Sequence, residues 1–123
     1  MKEIKFKFED LKVYQKSLDF INLTYKTSEK FPQLETYRLT SQFIRAATSI
    51  ALNIAEGSGD TSPQFNRFLQ IAIGSVRECV VCTSIAKNQE YITTIEEKTL
   101  RENLEELSKM ITGLQKYLKN TNV

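Results

Sequence analysis

Ser41-Gln42-Phe43-Ile44-Arg45-Ala46-Ala47-Thr48-Ser49-Ile50-Ala51-Leu52-Asn53-Ile54-Ala55-Glu56-Gly57, continued by Ser58-Gly59-Asp60-Thr61-Ser62-Pro63, decides the fold. It reads as a helix, a glycine stop, a tight turn and the cap of a second helix. At about 100° per residue, Leu39, Phe43, Ala46, Ala47, Ile50 and Ile54 share one side, the spacing of a core face. The opposite side carries Ser41, Arg45, Thr48, Ser49, Leu52 and Glu56, with Ile44 nearby. A solvated helix carries a Lys/Glu mixture there; this face is small, hydroxyl-bearing and sparsely charged. Small residues let another helix come close, and a single Arg and a single Glu call for partners. Two compatible readings follow: a helix buried on both sides inside a bundle, or a face that belongs to a subunit interface or ligand surface.

Gly57 stands where a residue just past a helix end takes the left-handed conformation. Ser58-Gly59-Asp60 supplies turn chemistry. Ser62 offers an N-cap oxygen, and Pro63 suits the first helical position, where its missing N–H costs nothing. So short a connection between long helices predicts an antiparallel hairpin.

Working outward, the downstream helix over 63–87 has a wide core face of Phe65, Phe68, Leu69, Ala72, Ile73, Val76, Cys79 and Val80. Its reverse side carries Arg67, Ile71, Gly74, Glu78, Val81 and Ile85, more apolar surface than a single solvated face needs. Upstream, Glu9 and Asp10 suit the positive end of a helix over 10–30, with Leu11, Tyr14, Leu18, Ile21 and Tyr25 on one side and Val13 and Phe20 elsewhere on the circumference. Pro32 breaks it by pushing Phe31 out of helical geometry. Residues 2–8 alternate charged and apolar side chains and read either as a short extended arm, with Phe6 and Phe8 docking on a neighbour, or as a frayed end. The last helix, over 95–119, is opened by a Thr94-x-x-Glu97 capping box. It has one narrow stripe of Leu100, Leu104, Leu107, Ile111, Leu114 and Leu118 on an otherwise polar circumference, and Asn120 onward is expected to fray.

These readings give one all-α domain over 1–123: an antiparallel up-down four-helix bundle with helices at approximately 10–30, 37–56, 63–87 and 95–119. A lone bundle needs one buried face per helix. The surplus on the second and third helices predicts a homo-oligomer.

Composition narrows the function. The chain of 123 residues has no histidine, which removes Ser-His-Asp and Cys-His catalysis and every histidine metal ligand. Cys79 and Cys82 are spaced as a redox pair or half a zinc site, but they lie mid-helix on the apolar side with no second ligand pair, so they read as buried free thiols. No metal, cofactor or catalytic residue is expected. The net charge of +2 does not by itself point to nucleic acid. There is no run of about 20 apolar residues and no signal-like start, so a cytoplasmic protein without a membrane span is expected.

Phe8-Glu9-Asp10-Leu11-Lys12-Val13-Tyr14-Gln15-Lys16, Tyr37-x-Leu39-Thr40-Ser41-Gln42, Arg45-Ala46-Ala47, Ser49-Ile50-x-x-Asn53-Ile54-Ala55-Glu56-Gly57 and Arg67-Phe68-Leu69-x-Ile71-Ala72-x-Gly74-Ser75 together resemble a known family. It is the bacterial four-helix-bundle proteins encoded within intervening sequences of 23S ribosomal RNA genes, to which accessory proteins of diversity-generating retroelements look related. The resemblance implies a homopentameric ring and, for the retroelement relatives, nucleic-acid binding and partnership with a reverse transcriptase. Arg45, Ser49, Asn53, Glu56, Arg67 and Glu78 match polar positions of the family pattern. The chain departs from it at Ile44, where the family often has a second arginine, at Arg38 in place of a glycine, and at Asp60 in place of a basic residue.

Two functions follow. One is a non-enzymatic ring that binds RNA or DNA, offering Lys2, Lys5, Lys7, Lys12, Arg38 and Arg45 to phosphates. The other is a protein–protein adaptor or structural ring without nucleic acid, in which Ser41, Arg45, Ser49, Asn53, Glu56, Arg67 and Glu78 form an interface or polar network.

Overall fold

The computed structural model describes residues 3–121, so Lys2 lies outside it. Four long helices make up the fold: α1 (Lys12–Ser28), α2 (Leu39–Ser58), α3 (Ser62–Asn88) and α4 (Thr94–Thr121). Short 3-10 turns at Lys7–Asp10 and Gln33–Glu35 precede α1 and α2, and no strand occurs among the described residues. Each helix packs on the next and α1 closes on α4, while among the described residues no Cα of α1 comes within 8 Å of one in α3, nor any of α2 within 8 Å of one in α4. Residue numbers run in opposite senses along neighbours. Ser84 bonds Arg101 while Gln115 bonds Asn66 and Gln70. Lys16 pairs with Glu106, and Lys30 with Glu96. Ser49 meets Ser75, while Gly57 abuts Phe65 and Phe68.

The core lies between the four helices. From α2 and α4 it takes Phe43, Ile50, Ile54, Leu100, Leu104, Leu107 and Ile111, all at most 1% exposed, as their helical spacing predicts. α1 differs from its expected face. Val13, Ser17, Phe20, Thr24 and Thr27 are buried, whereas Leu18 and Tyr25 are exposed and Tyr14 and Ile21 half-buried. Helical hydroxyls can be buried cheaply because the backbone accepts their protons. Ser17 donates to the Tyr14 carbonyl at 2.6 Å and Thr24 to the Phe20 carbonyl at 2.9 Å. Their small volume lets α1 sit close to the core, and the larger apolar stripe is turned toward the flank.

Several ends also differ. Glu9 and Asp10 belong to the 3-10 turn, and α1 starts two residues later than expected. Phe8 docks within its own chain, edge-on to Tyr14 with centroids 5.0 Å apart, while Phe6 stays exposed. Gly57 is not left-handed: no glycine among the described residues has positive φ, and α2 continues to Ser58. Glycine is needed there because a Cβ would lie 2.8 Å from Phe68 Cβ and 2.9 Å from Phe65 Cδ1. The cap of α3 is Thr61, whose hydroxyl accepts the Gln64 N–H, so Ser62 rather than Pro63 opens the helix. The capping box of α4 is Thr93 with Glu96, one residue earlier than expected: Thr93 N–H donates to Glu96 at 2.8 Å and Glu96 N–H to Thr93 at 3.1 Å. The tandem threonines and glutamates allow either register, and burial of Ile92 against the core, with Ile95 left in solvent, accompanies the observed one. The helix runs on through Asn120 to Thr121.

α3 ends in a different stop. The Tyr91 N–H donates to the Ala86 carbonyl and the Glu90 N–H to the Lys87 carbonyl, a Schellman pair that leaves Glu90 at φ 63°. A side chain in that region costs about 1–2 kcal/mol. Glu90→Gly is therefore expected to stabilise the fold by about 1 kcal/mol, read as a higher urea midpoint at unchanged slope. The Tyr91 ring then packs on Phe31, with centroids 5.5 Å apart, and its hydroxyl donates to Glu35 at 2.8 Å. That bond raises the Tyr91 pKa, and it ties the connection before α4 to the one before α2.

By length and composition alone, α3 would pass as a membrane-crossing segment, yet fewer than half of the residues in its most apolar window are buried. The surplus apolarity lies on its outer side.

Candidate functional site

The outer side of α3 presents Arg67, Ile71, Gly74, Glu78, Val81 and Ile85, repeating at four and three residues as the seam of a helix pair does. Along α2, Ser41, Arg45, Thr48, Leu52 and Glu56 follow a similar rhythm. The two rows flank one another, because Ser49 and Ser75 join α2 to α3 between them. Leu52 is 63% exposed, Val81 57%, Ile71 48% and Ile85 41%. A scattered exposed leucine needs no explanation, but four large apolar side chains on one face form a patch.

The charges on this face are unpaired. Arg45, Glu56, Arg67 and Glu78 are all exposed, and none has an ion pair within 4.0 Å among the described residues. Ion pairs do form elsewhere, at Lys5–Asp10, Lys16–Glu106, Lys30–Glu96, Arg101–Glu97 and Lys109–Glu105. Gly74 adds a third feature. A Cβ built there meets nothing within 4 Å. A helix-interior glycine costs about 1 kcal/mol against alanine, and nothing within the subunit requires this one.

Of the expected polar network, the structure connects only the part at the α2–α3 seam. Asn53 Nδ2 donates to the Ser49 carbonyl at 2.8 Å and to Ser49 Oγ at 3.0 Å, and Ser75 Oγ donates to Ser49 Oγ at 2.8 Å. Ser49 is the shared acceptor, and buried Ser75, which the sequence reading does not include, joins it from α3; its position on the side of α3 facing α2 is the signal that marks it. Ser41, Arg45, Glu56, Arg67 and Glu78 stand outside this network on the exposed face.

The basic residues do not converge. Lys5 is tied to Asp10 at 2.7 Å, a hydrogen bond that raises its pKa. Lys7 and Lys12 are exposed near the start of α1. Arg38 and Arg45 lie at the start of α2, beside the other end of α1; the 17 residues of α1 span about 25 Å. Cys79 and Cys82 are buried free thiols, and burial pushes both pKa values up, Cys79 most. Such thiols carry almost no thiolate and are inert.

The fold and this face define an all-helical protein with an unpartnered, mixed apolar and charged surface on two of its four helices. The chain belongs to the 23S rRNA-intervening sequence protein family, whose model matches residues 9–113. Among solved structures it is similar to a protein with unknown function from the S23 ribosomal protein family of Bacteroides thetaiotaomicron VPI-5482. The two share 24% identity at a TM-score of 0.78, over 85% of this chain and 98% of that one. No curated protein sequence matches it.

Proposed function

We propose that this chain is a non-enzymatic, self-assembling scaffold: an up-down four-helix bundle whose copies close into a ring in the cytoplasm through the outer face of α2 and α3. The observation that carries the reading is the combination on that face of four exposed apolar side chains, four charges unpaired among the described residues and a half-buried glycine with open space where a Cβ would stand. The resemblance implies five copies. Used in this way, the fold is an adaptor platform with no catalytic group.

The test compares two glycines. Gly113 in α4 also has nothing within 4 Å of a built Cβ, but it lies among the polar outer positions of its helix. Gly113→Ala is expected to stabilise the chain by about 1 kcal/mol and to leave its assembled mass unchanged. Gly74→Ala gives the same gain in helix propensity but places a methyl where a second helix must approach. Its expected result is a rise in the fraction of single chains by light scattering. Equal masses for both variants, with wild type assembled, would show that the face around Gly74 is not the contact.

A second reading is favoured by Lys7 and Lys12, exposed and without ion pairs among the described residues, with Lys116 and Lys119 exposed toward the same end of the bundle. Ring repetition would multiply these charges into a phosphate-binding rim for RNA or DNA. Such binding falls steeply with salt. Retention of a mixed RNA and DNA pool at low salt and its release at high salt would support the rim; no retention at low salt would remove it.

A further inference from the structure

We propose that neighbouring copies join by laying the outer face of α3 of one subunit antiparallel along the outer face of α2 of the next, in a register fixed by two ion pairs. The inference rests on the self-assembly proposed above and specifies which surface meets which.

Glu56 follows Arg45 by eleven residues, and Glu78 follows Arg67 by the same eleven. Each interval spans about 16 Å along a helix. An antiparallel pairing that sets Arg45 against the partner's Glu78 therefore also sets Glu56 against the partner's Arg67. The same register places Leu52 level with the partner's Ile71, apolar on apolar. It brings Ser49 level with the partner's Gly74, so the open glycine meets the small stretch of α2. Charge, apolar contact and close approach coincide in one register.

The symmetric alternatives do less. Pairing α2 with α2 also matches Arg45 to Glu56, but it sets Leu52 opposite Ser49 and leaves Ile71, Val81 and Ile85 in water. Pairing α3 with α3 leaves Leu52 and both α2 charges uncovered. Only the α2-to-α3 contact uses both faces of every subunit. Because the two patches differ, it is a head-to-tail contact of the kind that generates rings. Within the subunit the same charges are level across α2 and α3, yet none closes to 4.0 Å.

Charge reversal in patches separates these cases. The α2 variant combines Arg45→Glu with Glu56→Arg; the α3 variant combines Arg67→Glu with Glu78→Arg; the fourfold variant carries all four changes. All four positions are exposed, and helical circular dichroism with thermal melting verifies that each variant is folded. Mass by light scattering at matched concentration is the readout. Each patch variant is expected to raise the apparent dissociation constant at least about 100-fold through like-charge contacts, and the fourfold variant to recover the wild-type mass. An α2 variant that keeps the wild-type mass would overturn the geometry, since that is the result for α2-to-α2 or α3-to-α3 pairing. A fourfold variant that stays folded but unassembled would overturn it too. A wild-type chain already at single-chain mass would instead overturn self-assembly itself.

Discussion

Phe43→Ala is expected to remove about 4 kcal/mol of stability, since truncating a fully buried phenylalanine loses its transfer energy and leaves a cavity. Phe43 is 0% exposed and joins three segments. Its ring lies edge-on to Phe20 of α1 at 6.3 Å and stacks on Phe31 at 6.4 Å, and Phe31 in turn packs on Tyr91. Removing it therefore loosens α1, the connection before α2 and the connection before α4 together. Against a total stability of about 5–15 kcal/mol, the loss brings the chain near the edge of folding. Urea denaturation followed by circular dichroism measures it. A loss under about 1 kcal/mol, well below the range for such truncations, would show that the three segments repack around the gap and that the aromatic cluster does not organise this end.

Gly57→Ala is expected to cost about 1–2 kcal/mol net, the upper part of the overpacking range, about 2–3 kcal/mol, less the gain in helix propensity. The added methyl would sit 2.8 Å from Phe68 Cβ and 3.2 Å from Phe65 Cα, so the start of α3 itself must move. Helix propensity alone argues the other way, because alanine is the better helix former by about 1 kcal/mol, and steric contact wins by a factor of two or three. A drop in melting temperature of roughly 4–8 °C follows at about 4 °C per kcal/mol for a chain of this size. A rise in melting temperature would mean that α2 and α3 sit farther apart than the structure places them. Gly57, Gly74 and Gly113 thus form a graded series: one packed against its own subunit, one facing the proposed partner, one facing solvent.

The sequence reveals α2 and α4 most fully, because their core residues are apolar and repeat at helical spacing. It misleads on α1. Ser17, Thr24 and Thr27 look polar and are buried, since each can be satisfied or packed locally, while Leu18 and Tyr25 look like core and are exposed. Composition does not distinguish a hydroxyl that donates to its own helix from one that faces water. Gly57 shows the same difficulty in another form. A glycine at a helix end suggests a left-handed turn, but the contact that requires it comes from Phe65 and Phe68 across the turn. Caps moved by one residue where Thr61-Ser62 and Thr93-Thr94 offered two equivalent oxygens. At the candidate face, the exposed apolar rows of α2 and α3 are legible from periodicity alone. The link from Ser49 to Ser75 required coordinates, because it depends on how the two helices are rotated against each other. The scattered basic residues also required them, since formal charge says nothing about which lysines share an end of the bundle.

The most direct test of the central claim is the mass of the wild-type protein by light scattering after size exclusion, at micromolar concentration and in both low and high salt. Self-assembly through α2 and α3 predicts a single species several times heavier than the 14.2 kDa chain, with dissociation brought on by Gly74→Ala but not by Gly113→Ala. A wild-type mass of 14.2 kDa in both buffers would contradict it.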